Sequence, residues 1–163
     1  ASATGGNPVR DAWMGASNMS GLVAARTAAA GIARNTGTAA HSLGALLGGF
    51  DPAELTGGLG TRWDITRGYF KRHASCSFTH PAADAVLDLR GGLDPARITG
   101  VLVETHALGA GLASPEWHNR LSAMFSTPFA VAAALLHGEV GPRADLDDPA
   151  LRALARRVRV AEA

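Results

Sequence analysis

Tyr69-Phe70-Lys71-Arg72-His73-Ala74-Ser75-Cys76-Ser77-Phe78-Thr79-His80-Pro81 is the stretch on which the reading of this chain turns. Before it the chain is rich in alanine, glycine and serine at helical spacing. After it come segments of mixed helical and strand character. The stretch gathers two cations, two imidazoles and the only thiol just ahead of an expected helix start. Lys71 is the sole lysine of a chain whose other fourteen basic residues are arginines. A lysine amine can shift its pKa or pair as a compact point charge, whereas arginine stays protonated. Lys71 is therefore a candidate for substrate binding or catalysis, against the plain alternative that a single lysine has fallen there by chance.

Outward from this stretch, the composition bounds the class of protein. At 163 residues, 47% hydrophobic and 18% charged with a formal net charge of +1, the chain is long enough to bury a core and has the balance of a globular protein. The absence of a basic patch argues against nucleic-acid binding. Arg152, Arg156, Arg157 and Arg159 read as a solvated helix end rather than a phosphate-binding stripe. One cysteine forms no internal disulfide and fits a reducing compartment. The small, uncharged residues 1–6 do not read as a secretion signal. The longest apolar run, Phe129 to Leu136, is short of a bilayer span, so a cytoplasmic protein without a membrane anchor is expected.

Toward the N-terminus, Asn7-Pro8 is a helix-opening pair, and helical spacing predicts a helix from Pro8 to about Ala33. Asn35-Thr36-Gly37 breaks it. A second helix is expected from Thr38 to Gly48-Gly49, then a turn after Asp51-Pro52, and an edge strand over Arg62–Thr66 from its alternation. Toward the C-terminus, Thr79 is expected to cap a helix from Pro81 to about Leu89, its positive end favouring an anion beside Cys76 to His80. A strand follows over Ile98–His106, then a flexible turn at Gly109–Ala113. A helix is expected from Pro115 or Glu116 through Met124, breaking at Pro128 and resuming to Leu136. Asp147-Asp148-Pro149 caps a last helix, and Val158, Val160 and Ala161 alternate as a final strand. The fold class is α+β, mostly helical: a helical portion over residues 1–60 and a small α+β domain over 61–163, with the change of composition near Gly68.

Several chemistries are disfavoured by spacing. No Walker loop is present, and the six histidines supply neither an i, i+4 helical pair nor thiolate partners for zinc, so no metal is expected. Cys76 is either a small buried hydrophobe or a nucleophile with His80 as base, although no orienting acid is evident. His80 is equally a capping or a functional residue. Lys71, Arg72, His73 and His80 together form a possible carboxylate-binding cluster, where cations stabilise a developing enolate and a histidine moves the proton.

The order of these pieces resembles the MmgE/PrpD family, which includes 2-methylcitrate dehydratase, cis-aconitate decarboxylase and iminodisuccinate epimerase. The matching pieces are Trp13-Met14-Gly15-Ala16-Ser17-Asn18 with Gly21 and Ala24-Ala25; Leu59-Gly60 with Trp63; Phe70-Lys71; Thr79-His80 with Ala83-Asp84-Ala85; and Phe125-Ser126-Thr127-Pro128-Phe129 through Leu135-Leu136-His137-Gly138. The resemblance implies a helical domain and an α+β lid with the active site between them, no cofactor, and a homodimer. It implies that Lys71 is the lid lysine and Arg10 stands where many members have lysine. Cys76 stands where the decarboxylase branch has histidine, and Phe129 where members commonly carry tyrosine. A phenyl ring cannot exchange the phenol's proton, which sets decarboxylation in question.

Family enzymes are well over twice as long. The resemblance therefore implies a fragment, a remnant, or one subunit of a split enzyme in hetero-oligomer with a chain supplying the N-terminal half. The expected activity is that of a lyase or isomerase component acting on a small polycarboxylate. Lys71, His80 and Cys76 are its candidate catalytic residues, and Arg10, Arg72, His73 and Phe129 its candidate binding residues. The alternative is a non-catalytic stabilising subunit.

Overall fold

The computed structural model describes residues 5–7, 9–33 and 37–163, and of Arg10 the backbone alone. Among these are eight α-helices and two strands: α1 (Val9–Ala29), α2 (Thr38–Leu47), α3 (Ala53–Thr56), α4 (His80–Leu89), β1 (Val101–Thr105), α5 (Ala107–Ala110), α6 (Arg120–Met124), α7 (Thr127–His137), α8 (Pro149–Ala155) and β2 (Val158–Glu162). The chain is α+β and mostly helical. Its contacts divide it into two compact units, one combining Ala1–Ala12 with Lys71–Ala163, the other Trp13–Phe70.

The first unit is organised around α7. Every residue from Thr127 to Leu135 is buried, as expected of a helix apolar on all sides. Its alanines let α4, α8 and β2 approach, and Ala83 of α4 and Leu151 of α8 are both fully buried. Phe129, 1% exposed, meets Trp117 edge to face at 5.1 Å. Each such large side chain contributes roughly 1.5–3 kcal/mol by leaving water. β1 and β2 pair in parallel, Val101 opposite Val158 through Thr105 opposite Glu162. Parallel neighbours need a crossover, which the segment carrying α5 to α8 supplies.

Local capping explains several boundaries. Asp148 accepts from the Ala150 N–H at 2.8 Å ahead of Pro149, as the sequence predicts. Ser126 accepts from the Phe129 N–H at 3.0 Å and so begins α7. Pro128 therefore sits in the first turn, where its missing N–H costs nothing, and does not break the helix. The expected helix from Pro115 or Glu116 starts later, at Arg120. A reciprocal box between Asn119 and Ser122 caps it, while Ser114 bonds both backbone groups of Glu116 and holds 114–116 in a turn. The expected flexible turn at Gly109–Ala113 is partly the short helix α5, capped by His106 Nδ1 accepting from the Gly109 N–H at 3.4 Å. The strand expected over Ile98–His106 is the shorter β1, because a 3₁₀ turn at Pro95–Arg97 occupies its approach.

The second unit lacks buried residues in α2 and α3. α1 opens with Asn7 Oδ1 accepting from the Val9 N–H at 3.1 Å; Pro8 lies outside the described residues. It ends earlier than the expected Ala33 because Gly31, at φ 74°, adopts the left-handed conformation, with the Ile32 N–H reaching back to the Thr27 carbonyl at 3.0 Å. The expected break at Asn35-Thr36 lies outside the described residues. α2 stops at Gly48, also left-handed. The edge strand expected at Arg62–Thr66 is instead a 3₁₀ turn over Asp64–Arg67. Thr66 donates from both its N–H (3.0 Å) and its hydroxyl (2.7 Å) to the Trp63 carbonyl, and no described strand is there to pair with it. Alternation without a pairing partner loses to local hydrogen bonds.

Candidate functional site

The loop from Lys71 to Thr79 is pinned to the core unit at two backbone points. The Ala74 N–H donates to the Val140 carbonyl at 2.9 Å and the Cys76 N–H to the Met124 carbonyl at 2.7 Å. Ser75 and Thr79, both fully buried, share a hydroxyl hydrogen bond of 2.7 Å, and the Thr79 hydroxyl also lies 2.9 Å from the Cys76 carbonyl. Thr79 thus ties the loop together and does not cap α4 through its side chain, contrary to expectation. A 3₁₀ turn over Ser77–Thr79 runs directly into α4. The Thr79 and His80 N–H groups are spent on the Cys76 and Ser77 carbonyls, and neither is left for an anion.

On this frame the loop side chains converge around two acceptors. The Ser75 carbonyl receives Lys71 Nζ and His80 Nε2, each at 3.3 Å. Asp84, one turn after His80 on α4, accepts at the same oxygen from His73 Nε2 at 2.9 Å and from the Arg72 guanidinium at 3.1 Å. The His73 hydrogen bond, with the charges of His73, Arg72 and His80 behind it, holds the Asp84 carboxyl below its ordinary range despite some opposing desolvation. His73 is 5% exposed and its ring meets that of His80 edge to face at 5.0 Å. An ionised Asp84 fixes the Nε2–H tautomer of His73 and leaves Nδ1 as the basic nitrogen.

A cleft of about 530 Å³ opens beside these groups. Lys71, Arg72 and His73 line it together with the segment Gly138 to Pro142, in which Glu139 is the lining carboxylate. Gly138, the cap of α7, is favoured there by its left-handed backbone at φ 73°, a conformation that residues with a Cβ adopt only under strain. Two cations and an oriented imidazole lining one cleft suit the binding of a carboxylate and the movement of a proton on the neighbouring carbon.

The remaining sequence candidates fall elsewhere. Cys76 is partly buried within the loop as a free thiol. Phe129 is in the core against Trp117. Arg10 lies in α1, its side chain outside the described residues. Asp84 joins the site through contacts that its place in the sequence does not reveal. Its i, i+4 spacing from His80 put it on the same helix face as the loop, but only the return of the loop brings His73 to it. Among the described residues no group of three or more His, Cys, Asp or Glu side chains converges as a metal site, and no helix is long and apolar enough to cross a membrane.

No curated protein and no solved structure matches the chain significantly. The family model described as the MmgE/PrpD C-terminal domain matches residues 73–163. That span is more than half of the chain. It begins at His73 and takes in Asp84, all of the α7 core and both strands, and on this match the chain belongs to the MmgE/PrpD family.

Proposed function

We propose that the chain is a component of a cofactor-independent lyase or isomerase of the dehydratase, decarboxylase or epimerase kind, acting on a small carboxylate with the rest of the active site supplied by further polypeptide. The observation that carries this reading is that Lys71, Arg72 and the Asp84-held His73 line the same cleft. In this reading Lys71 and Arg72 take the substrate carboxylate. His73 Nδ1 receives the proton from the adjacent carbon, and the electron pair it leaves delocalises into the carboxylate as an enolate beside the two cations. His80 holds the loop through Ser75. The family membership supports the class of chemistry; the substrate and the subtype are part of the proposal.

The test is turnover of a panel of small di- and tricarboxylates by the chain co-assembled with a family helical domain, followed by the ultraviolet absorbance of a new carbon–carbon double bond and by chiral chromatography. Lys71→Ala is expected to abolish turnover while leaving assembly and melting unchanged. A variant that turns over at the parental rate removes the mechanism.

A second reading, a non-catalytic stabilising subunit, is favoured by the exposed apolar side chains of the second unit, among them Trp13 at 53% and Met19 at 62%. It predicts assembly that survives Lys71→Ala and no turnover from any combination. Loss of assembly in that variant contradicts it.

A further inference from the structure

The role of Lys71 depends on where its amine is held, and the amine rests on a single peptide group. The Cys76 N–H and the Ser75 carbonyl belong to one planar unit and point in opposite directions. The N–H donates at 2.7 Å to the carbonyl of Met124, the last residue of α6, whose final carbonyls have no partner within their own helix. The carbonyl therefore faces away from α6, and it accepts from Lys71 Nζ and His80 Nε2, each at 3.3 Å.

Two fully buried hydroxyls brace that unit, and a count of their hydrogens fixes the direction of each bond. A hydroxyl has one hydrogen to donate. The Cys76 carbonyl only accepts, so the Thr79 hydroxyl spends its hydrogen there at 2.9 Å, and Ser75 is the donor in the 2.7 Å bond between the two hydroxyls. The order Ser75 to Thr79 to the Cys76 carbonyl ties together the residues on either side of the pinned peptide. All of these groups lie in the core unit. An exposed lysine loses side-chain entropy when it is fixed, and one hydrogen bond to a mobile acceptor does not offset that loss. An acceptor already fixed by other bonds needs no ordering of its own.

We propose that Ser75 and Thr79 are positioning residues for Lys71: their hydroxyl pair fixes the Ser75–Cys76 peptide, and the carbonyl of that peptide seats the amine at the cleft. A lysine ammonium has three N–H donors, so the seat leaves others for a substrate carboxylate. This rests on the reading of Lys71 as the carboxylate ligand. The hydrogen count makes the two hydroxyls unequal. Thr79→Val keeps the shape of the side chain, removes the bond to the Cys76 carbonyl and strands the buried Ser75 hydroxyl. Ser75→Ala leaves the Thr79 bond to Cys76 in place.

Lys71 is the only lysine, so the full chain carrying carbon-13-labelled lysine gives one lysine side chain to read by NMR. In the unaltered chain its two Hε protons are expected to be inequivalent and to show a nuclear Overhauser contact with the His80 ring; a freely rotating side chain shows neither. Thr79→Val is expected to abolish both signatures, Ser75→Ala to reduce them, and Thr79→Ser, which keeps the hydroxyl, to retain them. In the assembly with a family helical domain, Thr79→Val is expected to lower kcat/KM roughly tenfold or more, because a misplacement of about 1 Å has effects of that size, and Thr79→Ser to preserve it. A freely rotating Lys71 in the unaltered chain overturns the proposal without any variant, which covers the case in which Thr79→Val does not fold. A seated Lys71 in a folded Thr79→Val chain overturns it too, as does a greater loss in Ser75→Ala than in Thr79→Val. Turnover indifferent to Lys71→Ala refutes the reading of Lys71 itself, whereas turnover abolished by Lys71→Ala and unchanged by Thr79→Val refutes the positioning alone.

Discussion

The core unit and the Trp13–Phe70 unit are built from the same kinds of residue and use them differently. α7 and α2 are both apolar and alanine-rich, yet α7 buries everything from Thr127 to Leu135 and α2 buries nothing. Leu46 and Leu47 remain 78% and 68% exposed, whereas Leu151 is fully buried. The difference is tertiary. α7 has α4, α8 and a strand to pack against, and a helix of about ten residues is marginal in water without such packing. Burial of α7 also fixes the ends of its neighbouring loops, and the catalytic candidates hang from those ends at Met124 and Val140. The candidate site is thus precise where the chain has a core.

The sharpest way to break this contrast is to remove a core ring. Phe129→Ala is expected to cost about 3–5 kcal/mol in denaturant unfolding, since it leaves a cavity under Trp117. A loss under about 1 kcal/mol would mean that α7 is not the organising helix.

A smaller effect is expected at Asp84, and its sign depends on pH. Its folded-state pKa is lowered, so its contribution to stability is fully present above the unfolded carboxylate value of about 4 and is lost as pH falls through the lowered folded value. Asp84→Asn is expected to destabilise at neutral pH, with the gap to the parent closing in acid. The variant is also expected to release the His73 tautomer, read as a change in the imidazole nitrogen shifts by NMR. A gap that widens in acid contradicts the assignment.

The smallest effect belongs to the other unit. Trp13→Ala, at a half-exposed side chain, is expected to change the stability of the chain by no more than about 0.5 kcal/mol while weakening assembly with a helical partner. A large loss of stability in the chain alone would show that Trp13 is packed and that the contrast is overdrawn.

What could be read in advance follows the same division. The Asp148-Pro149 cap, β2 and the end of α7 at Gly138 are local signals, and they appear where the residues predict them. Alternation at Arg62–Thr66 predicts a strand that does not form, because alternation says nothing about whether a pairing strand exists. The start of α6 departs from the expectation because Pro115 resembles a helix opening, while the signal that sets it is the Asn119–Ser122 box, which is equally local. At the site, Lys71, Arg72 and His73 stood out by type. The role of Asp84 did not, because it depends on a loop returning eleven residues along the chain onto a helix face.

The claim beneath these comparisons is that the core unit holds its structure by its own packing and the second unit does not. Residue-resolved hydrogen exchange on the chain alone tests it most directly. The account predicts that amides of α7 and of the β1–β2 ladder exchange only through global unfolding, and that those of α2 exchange orders of magnitude faster through local opening. Protection of α2 equal to that of α7 would contradict it.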